Sequence, residues 1–188
     1  MTTRTRVAAE RARVRQFLAG KSRKIVIDVQ GLSHHDVCSI LYGGPLSQVG
    51  VGFRYMVSLA LYACPFPGLK NVAYRAMGMK VGKDAYIAPA CYLDVVHPSL
   101  LTIGRDAVLG MGSAVATHER RRDVLVLGRV DIGDGAVLGG MSVLRAGTRV
   151  GARAELDMML NVSRNVAHGE RVPSPRNGKP LPPLTEDL

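Results

Sequence analysis

A six-residue repeat organises the second half of this chain and restricts its fold more than any other feature. Large aliphatic residues recur every six positions in three runs: Val81, Ile87 and Leu93; Ile103, Leu109 and Val115; then Ile132, Leu138, Leu144, Val150, Leu156 and Val162. The residue after most of these anchors, and the residue four places after them, is small or short. A period of six matches neither an amphipathic helix nor an alternating strand, so another architecture is needed.

The repeat predicts a solenoid in which each hexad forms one short strand and one corner. The anchor points inward, and the small residues let the backbone turn without a clash. Three hexads would complete one triangular coil, and stacked coils would bury a continuous aliphatic ladder. The low aromatic content, 5% with no Trp, is unusual for a packed globule but natural for such a core.

The hexads resemble those of the left-handed β-helix acyltransferases of the hexapeptide-repeat superfamily, and among these they are similar to the maltose and galactoside O-acetyltransferases. The matching segments are VGKDAY, IAPACY, IGRDAV, LGMGSA, IGDGAV, LGGMSV and VGARAE. We therefore expect a mainly β protein, a left-handed parallel β-helix of hexapeptide repeats with a helical N-terminal extension and an extended C-terminal tail. The left hand comes from the resemblance alone, since crossover rules favour the opposite hand.

Three regions follow from this reading. Residues 1–78 form a basic and apolar helical region, with helices expected at 5–19, 51–63 and 69–77, a short strand at 24–29 and a loop at 31–35. Residues 79–166 form the β-helix, interrupted by a loop at 116–127. Residues 167–188 form a proline-rich tail, expected to be extended because the periodicity stops after Val162.

Charge and composition bear on location and partners. The formal net charge is +10, and eight basic residues against one acidic residue between Thr2 and Lys24 place +7 of it in that segment. A solvated helix, an anionic membrane surface and a polyanion all fit this run, whereas no specific nucleic-acid partner is expected. No signal peptide is evident, so we expect a cytoplasmic protein, with peripheral contact at the inner face of the membrane left open.

The two breaks in the hexad register, at 94–102 and 116–131, indicate where a site would form. With Val126 counted as an anchor inside the second break, three hexads per coil place these anchors in one column: Leu93, Val115 and Leu138. The residues that follow them would stack beside that column: Asp94, Ala116 and Gly139. The second insertion, which contains His118, would then leave the barrel directly above Asp94.

A carboxylate, a histidine and a glycine-rich backbone brought together in this way suit acyl transfer from a thioester. An imidazole that titrates near neutrality can remove the proton of a hydroxyl or amine acceptor, so His118 is the candidate general base. Asp94 would fix the imidazole tautomer or hold the acceptor, and a backbone N–H near Gly140 or Ser142 would stabilise the oxyanion. In the family that the hexads resemble, the catalytic histidine lies in a Thr-His or Gly-His context within an extended loop, which Thr117-His118 matches. That family often has asparagine where this chain has Asp94.

The resemblance also implies a donor and an assembly. Acetyl-coenzyme A, or another acyl-coenzyme A, would need a low wall and cations for its phosphates, and no metal is expected. The candidate wall residues are Gly139, Gly140, Ser142 and Ala146, and the candidate cations toward the C-terminus are Arg145, Arg149, Arg153, Arg164 and Lys179. A homotrimer with active sites between subunits is implied, together with a small-molecule acceptor that the sequence does not specify.

Two alternatives remain at this stage. A non-catalytic β-helix scaffold or assembly subunit would use the basic N-terminus to dock on a membrane or polyanion. A zinc enzyme resembling γ-class carbonic anhydrase would need three histidines, of which the loop offers only His118.

Overall fold

The computed structural model describes residues 2–174. Its N-terminal part contains four helices and one strand: α1 (Thr3–Ala19), β1 (Lys24–Asp28), α2 (His34–Tyr42), α3 (Pro45–Tyr62) and α4 (Pro67–Ala76). The sequence predicted α1, β1 and α4 closely, and α3 begins at Pro45 rather than at Val51. The loop expected at 31–35 was wrong at its end, because Ser33 and Asp36 form a reciprocal capping box that starts α2.

Fifteen further short strands follow α4. They are β2 (Lys80–Val81), β3 (Tyr86–Ile87), β4 (Tyr92–Leu93), β5 (Leu101–Ile103), β6 (Val108–Leu109), β7 (Ala114–Val115), β8 (His118–Arg121), β9 (Val124–Gly128), β10 (Val130–Ile132), β11 (Val137–Leu138), β12 (Val143–Leu144), β13 (Arg149–Val150), β14 (Glu155–Leu156), β15 (Asn161–Val162) and β16 (Arg171–Val172). A 3₁₀ turn, Pro98–Leu100, precedes β5.

Thirteen of these strands form three parallel sheets, which are the walls of the predicted β-helix. Wall one contains β2, β5, β10 and β13; wall two contains β3, β6, β11, β14 and β16; wall three contains β4, β7, β12 and β15. We number each corner by the wall that it follows. The fold prediction is thus confirmed, since every strand pair within a wall is parallel and in register.

The anchors hold the coils together because they fill the interior. Leu93, Leu109, Val115 and Leu144 are fully buried. The small residue after an anchor is needed because neighbouring coils approach closely there. A Cβ added to Gly139, for example, would lie 2.5 Å from the carbonyl carbon of Asp157 in the next coil.

The ladder continues past the predicted end at 166. Val166 bridges Val150 of wall one, and β16 pairs with β14 on wall two. The six-residue period did not reveal this last coil, because Val166 follows Val162 after only four residues. Gly169, at φ +66°, then turns the chain toward β16. Most of the predicted extended tail lies outside the described residues.

A second apolar core lies beside the barrel. The insertion predicted as a loop at 116–127 is a β-hairpin of β8 and β9, and β1 pairs antiparallel with β9 to complete a three-stranded sheet. Helices α1 and α2 cover this sheet, and their buried residues include Val14, Phe17 and Ile40. The N-terminal region is therefore packed against the inserted hairpin.

Helix α4 closes the first coil of the barrel. The buried Lys70 donates to the carbonyl of Ala88 at 2.7 Å, and Asn71 donates to the carbonyl of Ala85 at 2.7 Å.

Between residues 2 and 174, no helix combines the length and hydropathy needed to cross a membrane.

Candidate active site

Asp94 is a fully buried carboxylate at corner three, directly after β4. Its Oδ1 accepts the N–H of Val96 at 3.0 Å, and its Oδ2 accepts both the N–H of Thr117 at 3.0 Å and the Thr117 hydroxyl at 2.8 Å. Burial alone would raise the pKa of Asp94, but hydrogen bonds and the charge of His118 outweigh it and lower the pKa below its ordinary value. Asp94 is therefore ionised at neutral pH.

His118 is the first residue of β8, and its Nδ1 lies 2.5 Å from Oδ2 of Asp94. Because the ionised carboxylate can only accept, Nδ1 carries the hydrogen and Nε2 is left with a lone pair. The side chain of His118 is 21% exposed, so part of the ring reaches the surface. The structure brings together the two residues that the sequence proposed as catalytic.

Glu119 and Arg145 hold the hairpin against the barrel. Two nitrogens of the Arg145 guanidinium donate to the carboxylate of Glu119, Nε to Oε1 at 3.0 Å and Nη2 to Oε2. Oε1 also accepts the N–H of Ala146 at 3.0 Å. Burial would raise the pKa of Glu119, but these bonds lower it. Arg145 lies where most hexads have a small residue, and it contacts Glu119, which was not predicted as a functional residue.

Arg54 and His97 support the segment that follows Asp94. Arg54, on α3, donates to the carbonyls of Val95 and Val96 at 2.8 and 3.1 Å. His97 donates through Nε2 to the carbonyl of Leu41 at 2.9 Å, and burial lowers the pKa of His97, which keeps it neutral. Neither role was predicted, although Arg54 is the one charged residue in α3 and so carried a signal.

The predicted anchor column was wrong in its third member. Leu93 and Val115 stack on wall three, but Leu144, not Leu138, continues that wall; Leu138 stacks on wall two above Leu109. Val126 is not an anchor, because it lies in β9 of the hairpin. Arg145, rather than Gly139, is therefore the residue in line with Asp94 and Ala116.

This shift moves the predicted glycine-rich wall away from His118 within one chain. Gly139, Gly140 and Ser142 lie at corner two, on the other side of wall three. Ser142 is fully buried, donates to the carbonyl of Asp157 at 3.0 Å and accepts the N–H of Leu160 at 3.0 Å. Its hydroxyl joins successive coils, and Ala146, at corner three, is the one wall candidate beside the hairpin.

The candidate phosphate-binding arginines do not form one cluster. Arg149 is exposed on wall one and lies 3.9 Å from Asp131, and Arg153 is exposed at corner one. Arg164 pairs with Glu170 at 2.7 Å, and Arg145 is committed to Glu119. Lys179 lies outside the described residues.

The chemistry of the pair is that of a base and its orienting carboxylate. Within residues 2–174, no group of three or more His, Cys, Asp or Glu side chains is arranged to hold a metal ion. The partner of His118 is a carboxylate rather than further histidines, which does not fit the zinc set of the carbonic-anhydrase alternative.

One curated protein and several solved structures are similar to this chain. No protein-family model matches the chain. YvoF of Bacillus subtilis (strain 168), named as a candidate acetyltransferase, is 29% identical over 115 residues, which are 61% of this chain and 66% of that protein.

Two solved structures extend this comparison. A hexapeptide-repeat acetyltransferase from Vibrio cholerae O1 biovar eltor, in complex with acetyl-coenzyme A, superposes with a TM-score of 0.52 at 13% identity over 69% of this chain and 84% of that chain. A maltose O-acetyltransferase from Clostridium difficile 630 gives a TM-score of 0.54 at 12% identity over 68% and 83%. The chain thus has the left-handed β-helix fold of the hexapeptide-repeat acetyltransferases.

Proposed function

We propose that this protein is a coenzyme A-dependent acyltransferase that moves an acyl group, in the simplest case acetyl, from a thioester to a hydroxyl or amine acceptor. The observation that carries the proposal is the His118–Asp94 pair, in which a buried, ionised carboxylate holds the imidazole of a partly exposed histidine. This is the arrangement expected of a general base whose tautomer is fixed by a second group.

The proposed roles follow from the hydrogen-bond geometry. Asp94 holds the Nδ1 hydrogen, so Nε2 of His118 accepts the acceptor proton as the acceptor oxygen or nitrogen bonds to the acyl carbon. The thioester supplies an electrophilic carbonyl and a thiolate leaving group. His118 then returns its proton to the departing sulfur, which restores the neutral imidazole. Between these transfers the charge of Asp94 stabilises the imidazolium.

The donor is inferred from relatives and from the surface that remains available. The Vibrio cholerae structure contains acetyl-coenzyme A, and the Bacillus subtilis relative is named for acetyl transfer. In this chain the exposed Arg149 and Arg153 suit phosphate groups, because neither is committed to a close ion pair. Gly139 and Gly140 keep corner two low, which suits the narrow pantetheine arm.

We propose a homotrimer with the site completed between subunits. The exposed side chains of Met111, Met141, Met158 and Met159 form an apolar edge along corner two. In the proposed trimer, a neighbouring copy covers this edge. Corner two of one copy then lies beside the hairpin of the next copy, which brings the glycine-rich wall of one subunit to His118 of another. The support is this apolar edge together with the separation of the two features within one chain.

The test is His118→Ala in the full chain. Acetyl-coenzyme A binding, measured by titration calorimetry, should stay within about threefold of wild type, while release of free coenzyme A in the presence of a panel of sugar, amino-sugar and amino-acid acceptors should fall by a factor of about 100 or more. His168→Ala, an exposed histidine outside the site, is the matched control and should retain turnover. Full turnover by His118→Ala, or failure of wild type to bind acetyl-coenzyme A, would contradict the proposal.

A further inference from the structure

Helix α3 presents an apolar face to solvent, and this face has no role in the proposed chemistry. Five large apolar residues of α3 are each at least 67% exposed: Leu46, Val49, Phe53, Met56 and Leu59. Their spacing of three or four residues places them on one side of the helix. The buried residues of α3, which include Val51, Ser58 and Leu61, lie on the opposite side.

The size of this face separates it from ordinary surface variation. Leu46 is 90% exposed and Phe53 is 70% exposed, and single exposed apolar residues would need no explanation. A row from 46 to 59 extends for about 20 Å at 1.5 Å per residue, and contiguous apolar surface of that extent marks a binding surface. The chain continues the series after α3 with three more exposed residues: Phe66, Leu69 and Val72.

The charges near this face indicate its occupant. From Val37 to Lys83 the sequence contains no acidic residue, and the one charged side chain of α3, Arg54, is bonded to carbonyls of the barrel. Arg15 of α1 is exposed and shares a cleft with Ser47 at the start of α3. An apolar helix face in an acid-free segment, with a cation beside its first turn, matches a surface with an apolar interior and anionic headgroups.

A second copy of the chain matches this face less well. An isologous contact would place the acid-free segment of one copy against the same segment of the other, so Arg15 beside the face would gain no anionic partner from that segment. The apolar edge at corner two is a separate surface and is available for assembly.

We propose that the exposed face of α3 docks this protein on an anionic lipid bilayer, with the helix lying in the interface and Leu46, Val49, Phe53, Met56 and Leu59 inserted among the acyl chains. The inference does not depend on the acyl-transfer reaction. It assigns docking to an apolar helix that is already folded on the barrel, rather than to the basic α1. In α1, Arg6 and Arg11 are engaged with other parts of the protein.

The experiment is flotation of the full-length protein with vesicles of phosphatidylcholine containing 30% phosphatidylglycerol, in 0.1 M salt. Phe53→Glu and Met56→Glu remove exposed apolar side chains, so neither should disturb the fold, which circular dichroism would verify. Each should lower the vesicle partition coefficient by a factor of about 10 or more, whereas Met56→Leu should bind like wild type. Ala12→Glu, on the exposed side of α1, makes the same charge change without loss of an apolar side chain and should lower binding by less than about threefold.

Each other outcome overturns the inference. Failure of wild type to float with these vesicles would refute docking. Equal losses in Ala12→Glu and Met56→Glu would assign binding to general electrostatic attraction. A lower mass for Met56→Glu than for wild type by light scattering without lipid would assign the face to a second copy of the chain.

Discussion

The buried carboxylate of Asp94 allows a prediction whose size can be worked from its contacts. In Asp94→Asn the carboxylate becomes an amide with one oxygen and one NH₂. Three donors meet Oδ2, one each from the Thr117 backbone, the Thr117 hydroxyl and His118, so the amide oxygen is expected to occupy that position. The NH₂ must then face the N–H of Val96, which now lies 3.0 Å from Oδ1.

The loss of stability has two parts. A buried N–H left without an acceptor costs about 1–3 kcal/mol, and replacing an ionised acceptor by a neutral one weakens the remaining bonds by about 1 kcal/mol in total. Together these give a decrease of about 3 kcal/mol in the free energy of unfolding, or about 9 °C in melting temperature for a chain of this length. Because a neutral amide oxygen stabilises an imidazolium much less than a carboxylate does, turnover should fall by a factor of about 100 or more.

The pH dependence supplies an independent check with a defined sign. The folded pKa of Asp94 lies below its ordinary value of 3.8, so its stabilising contribution is complete above that value and is lost as the pH falls through the folded pKa. Urea unfolding at pH 7 should therefore separate wild type from Asp94→Asn, and the difference should shrink on acidification below about pH 4.

A surface aspartate provides the matched control. Asp106→Asn changes an exposed aspartate at corner one and should alter stability by less than about 0.5 kcal/mol. Equal stability and turnover for Asp94→Asn and Asp106→Asn at pH 7 would refute the reasoning that the buried carboxylate holds the imidazole.

Three further predictions concern the hairpin, the coils and the assembly. Glu119→Gln should loosen the contact with Arg145 and lower turnover by about tenfold while acetyl-coenzyme A still binds, and unchanged turnover would show that the hairpin needs no such tether. Gly139→Ala should destabilise the protein by about 2–4 kcal/mol in urea, because its Cβ would overlap the next coil, whereas Gly52→Ala in α3 meets open space and should stabilise by up to about 1 kcal/mol. Met141→Glu should lower the mass measured by light scattering from three chains to one, and an unchanged mass would place the assembly surface elsewhere.

The barrel was predictable because its sequence rule is local. Each anchor repeats at six residues and faces an interior of other anchors. A single hexad such as Ile132–Val137 therefore already predicts one strand and one corner of the coil. The pairing of Asp94 with His118 followed from Leu93 and Val115, whose shared wall depends on Ile103 being the next anchor after the first break and on the intact hexads from Ile103 to Val115.

The errors lie where the chain departs from that rule. Val126 matched the anchor chemistry, but it lies in β9 of a hairpin whose Leu125 and Leu127 pack with α1 and α2, so one hexad was counted that does not exist. The third wall then received Leu138 in place of Leu144. Helix α2 was missed although Ser33 and Asp36 form a capping-box pattern, because Gly31 and the two histidines at the start of the helix, His34 and His35, suggested a loop.

The pairing of β1 with β9 has a consequence for how the protein folds. Lys24 lies opposite Gly128 and Asp28 opposite Val124, so the strand that supports the hairpin is separated from it by about 100 residues of chain, and closing so long a loop slows the pairing. The coils can assemble from neighbouring hexads, whereas the sheet that contains His118 needs this long-range contact. Refolding should therefore recover the barrel's parallel sheets before it recovers a working imidazole, and the helical segment, although synthesised before the barrel, takes its final place after it.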